Sequence, residues 1–317
     1  MNISWEWIIC PVCEHKEYTN FMACKDFYFF YPEEFNLVKC KNCNCIYLNP
    51  RSKEEFISYF YPETYNLQEE HIEPFNRIKM RINDILSYKK LGSVLDIGCG
   101  TGALLYHLEK LGFKVYGIDI SERHLKYGRE KFGLKNLVCE NLIESNLPES
   151  YFDFITLYHT IEHLYQPIKY LEKIFKLLKT NGILIIAIPN CNSLQAKLFQ
   201  DYWSGWDPPR HLIHFNKRTL SILLKKQGFK ILKVSYDYDS KWAFIESMRR
   251  FILVKLLPNY KKSITKVGER LQAKTSNNRL KVKIKWILEV VAILFVNLEK
   301  LVNLQGCINV HCIKDGE

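Results

Sequence analysis

The sequence has few glycines and prolines, no long uncharged apolar run and no basic N-terminal segment. Only 14 glycines and 11 prolines occur among 317 residues, while aromatic residues make up 14%, which excludes collagen-like and disordered chains. No window supplies the roughly 18 uncharged apolar residues that a membrane-spanning helix needs. Because the first ten residues lack a basic segment and include Glu6, we expect no secretory signal peptide. We therefore expect a cytoplasmic protein, either soluble or peripheral at the inner face of the membrane.

The net positive charge is confined to one segment. The chain carries 45 basic and 34 acidic side chains, a formal net charge of +11. Residues 241–285 contain 13 of the basic side chains and only two acidic ones, Glu246 and Glu269. This segment accounts for the whole excess, so an anionic partner should be sought there.

Short apolar runs alternate with amphipathic stretches from Ser93 onward. The predicted strands are 93–97, 115–118, 137–139, 152–157, 183–188, 229–236 and 307–314, and the predicted helices are 103–111, 123–132, 168–178 and 217–226. Alternation of this kind predicts an α/β fold with a doubly wound, mostly parallel seven-stranded sheet. We divide the chain into a metal-binding module (1–52), a helical linker (53–92), the α/β domain (93–236 and 306–317) and a basic, amphipathic helical insertion (237–305).

Eleven cysteines in a chain without a signal peptide favour metal binding or buried thiols over disulfides. Two C-x₂-C pairs lie near the start, Cys10 with Cys13 and Cys40 with Cys43. A two-residue spacer lets both thiolates reach one tetrahedral ion, so the pattern predicts a structural Zn²⁺ site. The alternative is a set of unrelated buried cysteines.

A glycine-rich loop follows the first strand of the α/β domain. The sequence V-L-D-I-G-C-G-T-G (94–102) runs from a strand into a helix, and Asp119 ends the next strand. Glycines permit a tight turn and close approach of a ligand to the backbone. Asp96 before the loop can pair with an ammonium group, and Asp119 can accept hydrogen bonds from a ribose diol. The G-x-G-x-G spacing differs from that of nicotinamide-binding proteins.

These residues make the sequence similar to the class I S-adenosylmethionine-dependent methyltransferases. The similarity is carried by LDIGCGTG (95–102), YGIDIS (116–121), LPESYFDFITLYHTIEHL (147–164) and LKTNGILIIAIPN (178–190). The two cysteine pairs followed by YLNPR (47–51) resemble the N-terminal zinc-binding module of one branch of these enzymes. The resemblance implies the following cofactor-binding residues: Asp96, Gly98, Cys99, Gly100 and Gly102 for the methionine moiety, Asp119 for the ribose, Ile120 and Asn141 for the adenine, and Tyr158 near the sulfonium.

Histidines lie where the acceptor is expected. The carboxyl end of the fourth strand is followed by His159, Glu162 and His163, and a Trp- and Pro-rich loop carries His211 and His214. Since histidine suits proton abstraction near neutral pH, His211, His159 and His214, in this order, are the candidate general bases. The alternative is that these histidines are structural.

Other side chains in these two segments each have two alternative roles. Glu162 and His163 resemble a divalent-ion motif of quinone-precursor methyltransferases, or they only brace a helix start. Arg210 either holds an anionic part of the substrate or pins its loop.

The insertion carries the basic residues and a long helical stretch at 284–304. Polar residues fall in one stripe (Lys285, Glu289, Glu299, Lys300 and Asn303), and the rest is apolar. This pattern suits either a helical lid over the acceptor site or docking on an anionic membrane. Nucleic-acid binding ranks third, because the basic residues do not alternate with stacking aromatics.

The sequence therefore predicts methyl transfer to a small-molecule acceptor, with S-adenosyl-L-methionine as cofactor. Zinc-fronted relatives often act on sugars, so a hydroxyl of a sugar, nucleotide sugar or glycan precursor is favoured. The first alternative is a prenylated quinone or lipid-linked acceptor. The second alternative is that the protein binds the cofactor without catalysis and serves as an interaction module. The sequence does not predict the oligomeric state.

Overall fold

The computed structural model describes residues 3–29, 31–61, 75–236, 239–256 and 278–314. Its strands are β1 (Trp5–Glu6), β2 (Tyr18–Lys25), β3 (Glu34–Cys40), β4 (Ile46–Leu48), β5 (Arg51–Ser52), β6 (Ser93–Ile97), β7 (Lys114–Asp119), β8 (Leu137–Cys139), β9 (Phe152–Tyr158), β10 (Leu178–Pro189), β11 (Ile213–His214), β12 (Phe229–Tyr236) and β13 (Cys307–Lys314). Its α-helices are α1 (Phe75–Leu86), α2 (Ala103–Lys110), α3 (Glu122–Phe132), α4 (Pro167–Leu177), α5 (Leu194–Phe199), α6 (Lys217–Lys226), α7 (Ser240–Phe251) and α8 (Asn278–Leu301).

A seven-stranded sheet organises the α/β domain and confirms the predicted fold class. The strand order is β12-β13-β10-β9-β6-β7-β8, in which β13 runs antiparallel to both of its neighbours. The other pairs are parallel. The chain order reverses between β6 and β9, and in open α/β sheets ligands bind outside the carboxyl ends of the strands at such a point.

Local signals set the ends of several helices around this sheet. Ser121 accepts a hydrogen bond from the His124 amide at the start of α3, and Gly133 ends that helix with φ +70°. Asn216 and Thr219 form a reciprocal capping box at the start of α6. Such caps satisfy amide groups that a helix end leaves unpaired, so these boundaries are encoded locally.

The N-terminal module is joined to the α/β domain by shared backbone pairing. Strands β2, β3 and β4 form an antiparallel sheet, and its fourth strand is β11 from the tryptophan-rich loop. The Leu48 amide also donates to the Leu212 carbonyl at 2.9 Å. The segment around residues 203–215 is therefore held by both parts of the chain.

The linker and the insertion are described only in part. The linker contains a 3₁₀-helix, Glu54–Phe60, followed after residues 62–74 by α1. The insertion contains α7, a π-helical turn at Ile252–Leu256, and α8, and the rings of Phe244 and Phe295 stack between the two helices at 4.4 Å. The basic residues at 257–277 and the side chains of 278–287 lie outside the described residues. Among the described helices, none combines the length and apolar character needed to cross a membrane.

The polar stripe predicted for α8 does not face solvent as a whole. Glu299 is fully buried and accepts hydrogen bonds from the Gln195 side chain (2.8 Å) and backbone amide (3.3 Å). Burial raises the pKa of this carboxyl to about 7. The exposed side chains of α8 are instead largely apolar and include Val291, Leu294, Leu298 and Leu301.

Candidate active site

The glycine loop joins the carboxyl end of β6 to the start of α2. Gly98, Gly100 and Gly102 all have positive φ, between +54° and +75°. A Cβ atom at Gly98 would lie 2.5 Å from the Thr160 hydroxyl, whereas one at Gly100 would meet nothing within 4 Å. The loop is thus tightly packed against the segment after β9 on one side and open at Gly100. Cys99 turns its thiol inward, where burial raises the thiol pKa.

Asp119 stands at the carboxyl end of β7, beside the open part of the loop. One carboxylate oxygen accepts from the Gly100 amide and the other from the Ser121 amide, both at 2.8 Å. A carboxylate has about four acceptor positions, so capacity remains for ligand hydroxyls. The next side chain, Ile120, is 75% exposed and offers an apolar surface. These features fit an adenosine whose ribose lies on Asp119 and whose base packs on Ile120.

The other predicted cofactor residues are distributed around this loop. Asp96 is buried and accepts a 2.5 Å hydrogen bond from the Thr156 hydroxyl. The Asn141 carbonyl oxygen accepts from the Ile143 amide at 3.0 Å, so it caps a 3₁₀ turn. Tyr158 is buried with the Arg81 guanidinium 4.1 Å from its ring centre. Asp96, Gly98, Gly100 and Asp119 therefore come together, while Asn141 and Tyr158 have packing or capping contacts of their own.

His159 lies between two carboxylates at the carboxyl end of β9. Its Nε2 is 2.7 Å from Asp239 at the start of the insertion, and its Nδ1 is 3.5 Å from Glu162. Burial alone would lower the pKa of this imidazole, but the two carboxylates raise it to about 10. A ring that is charged at neutral pH cannot accept a proton, so the geometry disfavours His159 as general base.

Glu162, His163 and His211 converge beside this histidine, and we call these three residues the EHH cluster. One potential ligand atom from each lies within 4.8 Å of the others. The Leu212 amide donates to the Glu162 carbonyl at 2.8 Å, which draws the tryptophan-rich loop onto the 3₁₀ turn Ile161–His163. The two imidazole rings are 4.6 Å apart between centroids.

Backbone carbonyls determine the tautomers of both histidines in the EHH cluster. The His163 Nδ1 lies 3.0 Å from the Arg210 carbonyl, and the His211 Nδ1 lies 2.9 Å from the Gly205 carbonyl. A carbonyl can only accept, so each Nδ1 carries the proton and, in the neutral rings, each Nε2 has a free lone pair. Burial lowers the pKa of His163 to about 4, which keeps that ring neutral.

Glu162 is buried beside the charged His159 ring, whose Nδ1 lies 3.5 Å from its carboxylate. Glu162 is 1% exposed, and within the described part of the chain neither carboxylate oxygen is hydrogen-bonded. Burial alone would raise its pKa, but His159 and the other neighbouring histidines lower it to about 2. A buried carboxylate that stays charged is costly unless a cation lies close to it.

His214 and Arg210, the other candidates from the loop, are both buried. His214 is 3% exposed on β11, and burial lowers its pKa to about 3, so it is a poor base at neutral pH. Arg210 is 0% exposed, with Nη2 2.6 Å from Asp26 and 2.8 Å from Asp207. Arg210 therefore pins the loop to the N-terminal module, which is the second of the two roles considered for it.

The four predicted metal ligands converge in the N-terminal module. The sulfur atoms of Cys10, Cys13, Cys40 and Cys43 all lie within 4.8 Å of one another. Each C-x₂-C pair is followed by a residue with positive φ, Glu14 at +61° and Asn44 at +64°. The two pairs thus form matching turns, and four convergent thiols fit a tetrahedral metal ion.

Sequence reasoning missed two features of this site. It treated Glu162 with His163 and His211 as separate motifs, whereas the fold brings them into one cluster. It also did not identify Asp239, which contacts His159 from the insertion. No local pattern signals either contact, because both join segments that are distant in the chain.

The chain is similar to known methyltransferases in sequence. A family model described as a methyltransferase domain matches residues 69–234. A ubiquinone biosynthesis O-methyltransferase of Caulobacter vibrioides is 34% identical over 128 residues, which cover 37% of this chain and 50% of that protein. The chain spans about half the length of the curated relatives that it matches first.

Solved structures show the same fold. A SAM-dependent methyltransferase from Archaeoglobus fulgidus aligns with a TM-score of 0.50 at 23% identity, covering 82% of this chain and 100% of that one. Phosphoethanolamine N-methyltransferase 2 of Haemonchus contortus, solved with S-adenosyl-L-methionine, aligns with a TM-score of 0.53 at 17% identity, covering 95% and 69%. At these identities the likeness concerns the fold alone.

Proposed function

This chain belongs to the S-adenosylmethionine-dependent methyltransferases, and on that premise we propose that it methylates a hydroxyl group of a small-molecule acceptor. One observation carries the proposal. The open cofactor loop after β6 lies next to the EHH cluster after β9, because the two strands are neighbours in the sheet. A methyl donor bound in this loop and a proton-accepting group of the cluster would therefore lie at the same edge of the sheet.

The roles of the residues follow from their contacts. S-adenosylmethionine supplies an electrophilic methyl group when it is bound. Asp119 would hold the ribose hydroxyls and Asp96 the ammonium group, and Gly100 lets the ligand approach the backbone. The hydroxyl of the acceptor must be aligned and lose its proton, and His211 Nε2 carries a lone pair suited to accept it.

We favour a sugar or nucleotide sugar as the acceptor. A cavity of about 610 Å³ lies beyond the carboxyl end of β10, is bordered by Lys39, Lys217 and Arg218, and is lined by no residue of the cofactor loop or of the EHH cluster. The side chains of Asn44, Asn190, Asn192 and Asn216 also border it. Basic groups suit phosphates, and carboxamides can both donate to and accept from sugar hydroxyls.

The test is turnover with nucleotide sugars and methyl-labelled S-adenosylmethionine, followed by mass spectrometry of the methylated product. We expect His211→Asn to lower turnover by about 100-fold or more while cofactor affinity stays unchanged. His107→Asn is the matched control, because His107 lies on α2 and its ring contacts among the described residues are with Phe75 on α1 and Tyr106 on α2. Full activity of the His211 variant would remove this residue from the mechanism. Cofactor binding without turnover on any acceptor would favour the silent binding module.

A lipid-linked acceptor is the second candidate, favoured by the exposed apolar surface of α8. Leu294 is 65% and Leu301 81% exposed, and Val291 and Leu298 fall on the same side at about 100° per residue. Trp242 on α7 is also 55% exposed. Exposed apolar side chains beside a basic segment suit an anionic membrane surface. Relatives named ubiquinone biosynthesis O-methyltransferases support the same acceptor class.

Vesicle flotation tests this second candidate. We expect the protein to float with phosphatidylglycerol vesicles at low salt and to lose most of that binding at about 0.5 M salt, because salt screens surface charge. Leu294→Asp with Leu301→Asp should abolish flotation. Leu198→Asp is the control, since Leu198 is also exposed, at 56%, but lies on α5. Flotation that stays unchanged both at high salt and in the Leu294→Asp/Leu301→Asp variant would contradict docking through α8.

We also propose that the four N-terminal cysteines bind one structural Zn²⁺. Four thiolates would complete the coordination shell and leave no position for substrate. Cobalt-substituted protein should therefore show thiolate-to-metal charge-transfer bands, which Cys40→Ser should reduce strongly. Cys139→Ser, an exposed cysteine outside the cluster, should leave them unchanged. Bands of equal strength in both variants would refute the assignment.

A further inference from the structure

The cavity beyond β10 is a second concave site that shares no lining residue with the site of methyl transfer. It is bordered by Lys39, Lys217 and Arg218, and we call it the basic cavity. Its volume of about 610 Å³ lies within the range of small-molecule pockets, about 300–1,000 Å³. The cavity is therefore large enough to hold a ligand of its own.

Several separate parts of the chain meet at the basic cavity. One of its cations lies on β3 in the N-terminal module, and the other two lie in the first turn of α6. The loop after β10 supplies Asn190, and the return from α8 supplies Leu304. The Asn190 amide also donates to the Gly306 carbonyl at 2.7 Å, which ties that loop to the return. A ligand in the cavity would thus contact both the N-terminal module and the α/β domain.

The cations of the basic cavity lack counterions. Within the described residues none of the three pairs with a carboxylate, and no acidic residue is part of the described lining. Other lysines close to them in the chain do have partners: Lys41, just after β3, lies 3.2 Å from Glu17. Lys226, at the other end of α6, pairs with Glu14. A cavity lined by charge of one sign focuses its field, and a bound anion relieves the repulsion.

The chemistry of the lining fits a phosphate or diphosphate group. Lysine and arginine form charge-assisted hydrogen bonds with phosphate oxygens, and asparagine carboxamides can donate to them as well. The start of α6, a ten-residue helix, adds the partial positive charge of its first amides. Val234 and Ile308 supply an apolar part of the lining for the remainder of a ligand.

The basic cavity is a neighbour of the EHH cluster through β11. Cys191, which follows Asn190, donates its amide to the Phe215 carbonyl at 2.9 Å and its thiol to the His214 carbonyl at 3.4 Å. The His214 ring in turn lies 6.4 Å from the His211 ring between centroids. One elongated molecule could therefore place its anionic end in the cavity and another part at the cluster.

We propose that the basic cavity binds a phosphate or diphosphate group without requiring S-adenosylmethionine. That group has two sources: the far end of the methyl acceptor, as in a nucleotide sugar, or a separate phosphorylated effector. Only the first source rests on the proposed function, because only the acceptor has to reach the EHH cluster.

The experiment is calorimetric titration of full-length protein with inorganic pyrophosphate in the absence of S-adenosylmethionine. We expect one saturable site. Lys39→Gln and Arg218→Gln should each weaken binding at least about tenfold, because each removes a charge-assisted hydrogen bond. Lys225→Gln is the matched control, since Lys225 is exposed on α6 but is not part of the described lining.

Two further measurements on the same variants show that they are folded. Their affinity for S-adenosylmethionine and the thiolate bands of the cobalt-substituted protein should stay unchanged. The thermal midpoint should rise with pyrophosphate concentration in the unmodified protein and much less in the Lys39 and Arg218 variants, because a ligand stabilises the state that binds it.

Two results would overturn the proposal. The first is the lack of saturable binding at millimolar pyrophosphate in folded protein. The second is binding that both variants leave unchanged, since the anion would then occupy another place.

Turnover separates the two sources of the phosphate group. If the acceptor supplies it, pyrophosphate should compete with a nucleotide sugar, and the Lys39 and Arg218 variants should raise KM while kcat stays unchanged. If an effector supplies it, pyrophosphate should bind without competing with the acceptor. Either result supports the anion site. Pyrophosphate binding that needs Lys39 and Arg218, without methylation of any hydroxyl acceptor, would refute the proposed function and leave the anion site intact.

Discussion

Replacing Asp119 with alanine should lower the affinity for S-adenosylmethionine by at least about 100-fold. Hydrogen bonds to a charged acceptor are each worth about 1.5–3 kcal/mol, and a ribose diol can form two of them. The substitution also removes the acceptor of the Gly100 and Ser121 amides, both bound at 2.8 Å. The loop would then lose its preformed shape as well as its contact with the ribose.

Calorimetric titration of S-adenosylmethionine and S-adenosylhomocysteine measures this effect directly. The protein must be freed of co-purified cofactor, and thermal unfolding must show that the variant is folded. Glu122→Ala is the matched control: Glu122 is a nearby acid, but it pairs on the surface with Arg129. Unchanged affinity in folded Asp119→Ala protein would show that the cofactor does not lie on this carboxylate.

Replacing Arg210 with methionine should reduce the free energy of unfolding by about 3–5 kcal/mol. The guanidinium is 0% exposed and bonds to both Asp26 and Asp207, so its removal leaves two buried carboxylates without their cation. Burial alone would raise the pKa of Asp207, and Arg210 holds it well below its usual range. The stability from this pair is therefore present at neutral pH and is lost as pH falls into the acid range.

Urea denaturation at neutral pH is the measurement. Arg249→Met is the control, because Arg249 is on the surface and its 3.4 Å pair with Glu246 should be worth less than about 1 kcal/mol. Adding Asp26→Asn and Asp207→Asn to the Arg210 variant should restore part of the stability, since neutral amides are less costly to bury. Equal stability of the two arginine variants would contradict a structural role for Arg210.

The ion pairs of Arg210 also affect the geometry of the EHH cluster, because Arg210 lies in the loop that carries His211. The Arg210 carbonyl accepts from His163, and the neighbouring Leu212 amide donates to Glu162. A loop released by loss of the guanidinium would separate His211 from the other two residues of the EHH cluster. We therefore expect the Arg210 variant to lose turnover even under conditions where it remains folded.

Most of the α/β domain could be predicted from local patterns. Strands β6, β8, β12 and β13 and helix α6 have the predicted bounds, and most other elements differ by one or two residues. Strand β10 begins earlier than predicted, at Leu178, because its first residues pair with β9 across a register shift. Such pairing depends on the neighbouring strand and leaves no periodic signal.

The sequence by itself determined the fold class, the cofactor loop and the four cysteines that converge. These depend on short-range features: buried strands, glycines at fixed spacing and C-x₂-C pairs. Tertiary structure alone decided that Arg210 pins its loop and that His159 is held between Asp239 and Glu162. It also decided that Glu162, His163 and His211 meet at one point. Each of these contacts joins distant segments, and only the pairing of β11 with β4 and the docking of α7 bring those segments together.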